Sequence, residues 1–320
     1  MAGCQTSNLA VYSAPVATQT IAPTEPVVIQ QSASTPPAEP VILLTDEIQQ
    51  NPIDSFRCED VFCQEAFTGL LQRPVSQQDN RMIDLSYPYG STKDGSMEPH
   101  HGVEFQNPFG TVVLAAEQGE VVFADADDQT QLGLKLNFYG NVVVIRHTDL
   151  FEDQDIYTLY GHLSSIDVNE GDAVNAGTPI GKVGASGVAN GPHLHFEVRV
   201  GTNSYEQTSN PVLWFSPMIS DNGTLTSTIA GVVFRENNSP ILEADLSLER
   251  LGLDGSVEKS IYTRTYHFSG INSHSKLGEN FVMPDLPPGD YRLSFVNVRL
   301  YEVFFTLASG QLGFISLPID

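Results

Sequence analysis

Apolar and polar residues alternate in short runs along most of the chain, and these runs lack a helical period. Between residues 100 and 200 the runs are β-branched or aromatic and are bounded by Gly, Asp and Asn, as is typical of strands separated by turns. The predicted strands of this region are 111–116, 119–124, 141–147 and 157–162. Residues 167–184 add very short strands with glycines at the turns, a pattern typical of compact β-barrels and sandwiches.

A second strand pattern begins after a linker rich in Ser, Thr, Asn and Gly at residues 218–227. Its alternating character and short turns predict a small β-sandwich. The predicted strands are 229–234, 244–249, 260–266, 280–283, 290–295 and 301–306. The sequence therefore predicts an all-β protein, with a compact, antiparallel, barrel-like domain at 86–217 and a β-sandwich at 228–320.

The first 45 residues have a different composition, rich in Ser, Thr, Pro, Ala and Gln. Such a segment cannot bury enough apolar surface to offset its ordering entropy, so residues 1–45 are predicted to be a disordered tail that acts as a flexible linker. Small residues precede Cys4, as in a bacterial lipoprotein signal, and Cys4 is therefore a candidate lipid anchor. The apolar part of such a signal is missing, so we interpret this start as a truncated remnant.

Residues 46–85 form a lead-in segment that contains Cys58 and Cys63. No second cysteine pair lies nearby, so a zinc knuckle is not expected. A local disulfide, which would require an oxidising compartment, and two reduced buried thiols are both compatible with the sequence.

Composition and charge exclude some classes of function. The 320 residues are enough for two domains and a tail, and 39 acidic against 15 basic residues give a formal net charge of -24. This charge repels nucleic-acid phosphates and anionic membranes, so we expect no nucleic-acid partner. No apolar run reaches the roughly 18 residues of a membrane-spanning helix, so no transmembrane segment is expected.

Most of the histidines are concentrated in three short segments. Five of the eight lie within residues 100–104, 160–163 and 191–196, and the first segment also contains Glu104. Imidazoles together with one carboxylate are a ligand set that suits zinc. The sequence therefore predicts a transition-metal site.

The spacing within these segments sets geometric conditions on that site. His193 and His195 are two residues apart, so on a strand their rings share one face, about 6.6 Å apart at the backbone. His100 and Glu104 would lie about 13 Å apart along a straight strand, too far for one ion with bonds of about 2 Å. The backbone must therefore bend between them, and Gly102 is the permissive residue where we expect the bend.

The three segments, in this order, resemble the lysostaphin or LytM-type zinc metalloendopeptidases. The pattern of that family is His-x-Gly-x-Asp, then Tyr-x-His-Leu, then Gly-Pro-His-Leu-His-Phe-Glu. The resemblance extends from about Tyr87 to Arg199 and includes the glycine-containing segments 139–147, 171–177 and 180–187.

When the site residues of that family are transferred to the matching positions of this sequence, the resemblance implies one Zn²⁺ ion per chain. Its protein ligands would be His100, Glu104 and His195, with water in the fourth position. His162 and His193 would be the catalytic pair that exchanges protons with the water and the leaving amine.

This chain departs from the family pattern at Glu104, where the family usually has aspartate. Both carboxylates bind zinc at similar distances, so we expect the site to be retained. His101 could compete with His100 for the ion, although the register of the family favours His100. His147 ends an apolar strand and is interpreted as structural, and Tyr89 is a weaker candidate for an oxyanion donor that we leave out of the predicted site.

The resemblance implies hydrolysis of peptide bonds in peptidoglycan stem peptides or cross-bridges, in cell-wall remodelling or lysis. The protein would then act outside the cytoplasm, in the cell envelope. Two alternatives remain. One is a catalytically impaired family member that binds the wall or activates other wall hydrolases. The other is a surface adhesion protein, since residues 230–234 and 286–291 resemble parts of carboxypeptidase-regulatory-like and collagen-adhesin-B-like accessory domains.

Overall fold

The computed structural model describes residues 27–29, 58, 60–220, 222–267 and 270–319, with 27–29 described by backbone only. The predicted lipidation of Cys4 and the predicted tail at 1–45, apart from residues 27–29, lie outside the described residues. Within the described part of the chain there is no α-helix, and the only helical turns are 3-10 helices at Tyr205–Gln207 and Pro211–Leu213. The predicted all-β class is confirmed.

Of the eighteen strands found among the described residues, eleven precede residue 210. They are β1 (Val27–Ile29), β2 (Phe62–Ala66), β3 (Val103–Phe105), β4 (Val112–Leu114), β5 (Gly119–Ala126), β6 (Asn141–Phe151), β7 (Gln154–Ile166), β8 (Ala173–Val174), β9 (Pro179–Val183), β10 (Leu194–Val200) and β11 (Thr208–Ser209). The other seven are β12 (Ser227–Arg235), β13 (Asp245–Leu251), β14 (Val257–Arg264), β15 (Phe281–Leu286), β16 (Gly289–Val296), β17 (Leu300–Leu307) and β18 (Gln311–Ile319).

Strands β3 to β11 form one sheet in which every pairing is antiparallel. The main path is β11-β10-β7-β6-β5-β8, while β3 pairs with β10 and β9 joins β7 to β4. Its core contains Phe105, Phe196 and Phe215, which pack against one another with ring centroids 5.1 to 6.4 Å apart. Each such buried side chain contributes about 1.5–3 kcal/mol, so this core holds the edges of β3 and β10 firmly together.

The C-terminal part folds as two facing sheets, as the alternating pattern predicts. One has the order β1-β17-β16-β13-β14 and the other β15-β12-β18-β2. Strand β2 comes from the segment that the sequence pattern separates from the sandwich, yet it pairs antiparallel with β18. The reason is its one buried aromatic residue, Phe62, whose ring stacks on Phe305 at 4.5 Å. Cys63 of this strand is joined by a disulfide to Cys58, which precedes the strand.

The sandwich and the first sheet share a buried boundary. Tyr266 and Phe314 of the sandwich belong to the same apolar cluster as the core of the first sheet. A buried ion pair also crosses the boundary, because Arg73 Nη2 lies 2.5 Å from Asp285 Oδ1. Both side chains are no more than 6% exposed, so the pair requires close contact between the two parts of the chain. No helix among the described residues has the length and apolar character needed to cross a membrane.

Candidate metal centre

Three side chains from two distant parts of the sequence converge on one point. His100 Nε2 and Glu104 Oε1 are 3.1 Å apart, Glu104 Oε1 and His195 Nδ1 are 3.2 Å apart, and His195 Nδ1 and His100 Nε2 are 3.3 Å apart. A tetrahedral zinc ion with bonds of about 2.0–2.1 Å holds its ligand atoms about 3.3–3.4 Å apart. The triangle therefore has nearly the size that a single zinc ion requires.

Strand pairing positions two of these side chains. Strand β3 pairs antiparallel with β10, and Glu104 lies directly opposite His195. The predicted bend is present, because His100 precedes β3 and still contacts Glu104. The role of Gly102 differs from the prediction, since its φ is not positive. Instead, an added Cβ would lie 2.5 Å from the Phe196 carbonyl oxygen and 2.8 Å from the His195 ring. The absence of a side chain at Gly102 therefore leaves room for the His195 ring.

The second ring nitrogen of each of these histidines has a fixed acceptor. His100 Nδ1 donates to the Tyr87 carbonyl oxygen at 2.6 Å, and His195 Nε2 donates to Glu197 Oε1 at 3.0 Å. In the neutral form of each imidazole, the other ring nitrogen is unprotonated and faces Glu104. Three acceptor atoms would then face one another, and a proton or a metal cation between them would be needed to stabilise the arrangement.

The charges around His195 favour the same conclusion. Burial lowers the pKa of its imidazole, but hydrogen bonds and charges from Glu104 and Glu197 outweigh burial and raise the pKa to about 9. Burial raises the pKa of Glu104, yet its contacts with His100, His193 and His195 hold the pKa well below its usual value. The centre thus stabilises positive charge, which a divalent cation supplies.

The two remaining predicted histidines lie beside this triangle. His193 Nε2 is 2.7 Å from Glu104 Oε2, but the angles of this contact do not form a hydrogen bond, so Oε2 has no hydrogen-bond partner within the described protein. The rings of His162 and His193 are 4.8 Å apart. Their Nδ1 atoms donate to the carbonyl oxygens of Ser186 and Gly191 at 2.8 and 2.9 Å. Both Nε2 atoms are therefore available to accept a proton.

His162 has an unusual backbone conformation with a φ of 61°. Strained conformations of this kind persist where the surrounding structure enforces them, and they concentrate at functional sites. Burial, followed by the charges of His195 and His193, lowers the pKa of His162 to about 4. His162 is therefore neutral near pH 7, as a proton acceptor must be.

Three other residues considered in the sequence lie outside the centre. His101 turns away, with Nδ1 2.9 Å from Thr208 Oγ1, so it does not compete with His100. The Tyr89 hydroxyl is buried and donates to the Thr208 carbonyl oxygen at 3.0 Å. His147 is buried and bonds to Thr158 Oγ1 at 2.9 Å, as expected of a structural residue.

A buried chain of polar residues lies behind His195 and was not predicted from the sequence. Glu197 is fully buried and accepts hydrogen bonds from the Tyr139 hydroxyl, from His195 and from Arg199 Nε, the last at 2.8 Å. Burial raises the pKa of Glu197, but the charge of Arg199 leads the interactions that lower it to about 2. The signal was present in the sequence, because residues 195, 197 and 199 alternate along a strand and share one face.

A cleft of about 950 Å³ opens over the metal centre. Tyr87, Phe138 and Tyr205 line it on the side of the first sheet, and Glu243 and His267 line it from the sandwich. The Tyr87 ring stacks on the His100 ring with centroids 4.2 Å apart, and it therefore covers one face of that imidazole. The arrangement places at the cleft three side chains that could hold a metal ion and two further imidazoles.

Comparison with known proteins gives consistent matches to the region that carries the centre. Residues 98–211 match the model of Peptidase family M23. The DD-carboxypeptidase/endopeptidase Mpg of Neisseria meningitidis serogroup B is 38% identical over 113 residues, which are 35% of this chain and 22% of that protein. The peptidoglycan DD-endopeptidase ShyB of Vibrio cholerae is 36% identical over 106 residues, which are 33% of this chain and 22% of that protein. The chain thus spans less than a quarter of the length of either relative.

One solved structure with similarity is the catalytic domain of the antimicrobial peptidase lysostaphin from Staphylococcus simulans. It is 32% identical, and the alignment covers 39% of this chain and 83% of that chain with a TM-score of 0.32.

Proposed function

We propose that this protein is a zinc metalloendopeptidase. The premise is that residues 98–211 form a domain of peptidase family M23. Its substrate would be peptidoglycan, in which it would hydrolyse peptide bonds of stem peptides or cross-bridges during cell-wall remodelling or lysis. The observation that carries the proposal is the triangle of His100, Glu104 and His195, whose size and ligand types suit one zinc ion. Relatives that are named as peptidoglycan endopeptidases support the substrate class.

The proposed chemistry assigns a role to each side chain of the centre. His100, Glu104 and His195 would hold one zinc ion, which supplies a Lewis acid that activates water and polarises the scissile carbonyl. His193 and His162 would accept the proton of the attacking water at Nε2 and deliver a proton to the leaving amine. Glu197 would keep the His195 ring in the required tautomer and orientation.

The remaining assignments belong to the same proposal. Residues 86–217 would be the peptidase unit and residues 228–320 an accessory domain, with 1–45 as a tail and 46–85 as the lead-in. The protein would act outside the cytoplasm in the cell envelope, with Cys4 as a lipid anchor. The presence of all five side chains supports hydrolysis over the alternative of an impaired binding protein or activator.

Digestion of purified sacculi tests the proposal directly. The zinc-loaded full chain is expected to release soluble fragments whose new amino termini, identified by mass spectrometry, define the bond that is cut. The chelated protein serves as the control and should release none. Intact sacculi after incubation with the zinc-loaded protein, combined with stimulation of a separate wall hydrolase, would instead support the activator alternative.

Replacement of Glu197 by glutamine tests the positioning of His195. Glutamine keeps an acceptor but removes the charge, so zinc affinity is expected to fall by about 10-fold to 100-fold. Competition against a chelator measures that affinity, and thermal unfolding verifies the fold. Glu170→Gln, an exposed residue of the same domain, is the matched control. Unchanged zinc affinity in a folded Glu197→Gln protein would contradict the assigned role.

A further inference from the structure

The cleft over the metal centre has a wall that belongs to the C-terminal sandwich. Most of its lining comes from loops of the first sheet, but Glu243 and His267 are sandwich residues. Neither residue was singled out by the sequence. A substrate lying in the cleft would therefore meet both domains.

Hydrogen bonds fasten this wall to the loop that leads into the metal centre. Thr92 Oγ1 donates to Glu243 Oε1 at 2.7 Å. The backbone N–H of His267 donates to the Gly90 carbonyl oxygen at 2.9 Å, and the Gly90 N–H donates to the His100 carbonyl oxygen at 2.8 Å. Only one residue thus separates the sandwich from a proposed zinc ligand. This continuity makes the wall a fixed part of the cleft.

Glu243 itself is held in an unfavourable backbone conformation. Its φ is 50°, in the left-handed region that a glutamate rarely adopts. Such conformations persist where the surrounding structure enforces them, and they concentrate at binding and catalytic sites. The same feature occurs at His162 in the metal centre and at seven other described residues that are not glycine. The Glu243 side chain remains 38% exposed, so a ligand can reach it.

The carboxylate of Glu243 is charged and has spare acceptor capacity. The hydrogen bond from Thr92 lowers its pKa, and its charge contact with His267 acts in the same direction. Oε1 accepts from Thr92, while Oε2 lies 3.4 Å from His267 Nδ1. A carboxylate offers about four lone-pair positions, so it can accept a further donor from the cleft.

We propose that Glu243 forms an anionic subsite for an ammonium group of the peptide substrate. The C-terminal sandwich then takes part in substrate recognition as a wall of the groove, in addition to any role as a spacer. The ligand class is a peptide with a free primary amine. This inference rests on the proposed peptidase function.

A pair of peptides that differ only at the amine tests the subsite. A fluorescently labelled stem peptide from purified peptidoglycan, and the same peptide acetylated at its free amines, are titrated into the zinc-loaded full chain by fluorescence anisotropy. Wild-type protein is expected to bind the free-amine peptide about three-fold to five-fold more tightly, with a smaller difference at high salt. Glu243→Gln, which retains an acceptor for Thr92, should reduce this ratio to about one, whereas the exposed Glu236→Gln should preserve it.

Hydrolysis of the same peptides, followed in parallel by mass spectrometry, separates the two proposals. Equal binding of the two peptides by wild-type protein, or an unchanged ratio in Glu243→Gln, overturns the subsite. If the peptides are hydrolysed but either of those results is found, the subsite is overturned and the peptidase proposal stands. Binding that depends on both the amine and Glu243, without any hydrolysis, overturns the peptidase proposal and supports the subsite.

Discussion

Replacing His195 by alanine is expected to give a folded protein that binds no zinc and cleaves no peptidoglycan. His195 Nδ1 is one corner of the ligand triangle, and the two remaining ligands do not hold a zinc ion tightly. Zinc content should fall from about one ion per chain to below about 0.1, and hydrolysis should fall by about 1,000-fold or more. Elemental analysis and release of amino termini from sacculi measure the two quantities, and Glu104→Ala should behave in the same way.

Two further variants make this result specific. Glu104→Asp introduces the carboxylate that is usual in the family that this chain resembles. The variant should retain zinc, because a small backbone shift compensates for a side chain that is one methylene shorter. His101→Ala, which removes the neighbouring histidine outside the triangle, should also retain zinc. A His195→Ala protein that kept one zinc ion and still cleaved sacculi would refute the assigned ligand set.

Replacing His193 by alanine is expected to separate metal binding from catalysis. Its Nε2 approaches Glu104 Oε2 at 2.7 Å but is not a corner of the ligand triangle. Zinc content should therefore remain at about one ion per chain, while kcat falls by about 100-fold to 10,000-fold through the loss of proton transfer. His162→Ala should give the same pattern, because His162 lies beside His193 and its low pKa keeps it neutral.

The double variant provides an internal check on these assignments. If His162 and His193 act as one unit, removing both should cost little more than removing either. Loss of zinc from the single variants would show that these residues hold the metal. Retention of wild-type kcat in both would show that neither transfers a proton in the slow step.

The first sheet and the sandwich are more closely joined than their sequence patterns indicate. The buried ion pair of Arg73 and Asp285 and the shared apolar cluster around Tyr266 form a boundary that a flexible linker would not produce. An interface of this kind restricts relative motion of the domains. The position of Glu243 in the cleft follows from that restriction.

Much of the metal centre was predictable because it depends on local spacing. The bend between His100 and Glu104 followed from the distance that a straight strand would impose, and the shared face of His193 and His195 followed from the strand period. The structural role of Gly102 was not predictable, because it depends on how closely the His195 ring, on another strand, packs against residue 102. Glu197 could have been found from the same alternation as His195, but its importance depends on burial.

The sequence by itself determined the all-β class, the family resemblance and the five residues of the candidate centre. These are properties of residue type and short-range spacing, and the backbone converts them into structure in the same way wherever they occur. Only the tertiary structure decided that β2 completes the sandwich, that Arg199 and Tyr139 hold Glu197, and that Glu243 borders the cleft. Such contacts join residues far apart in the chain, and they are selected by packing of the whole fold, which no local pattern encodes.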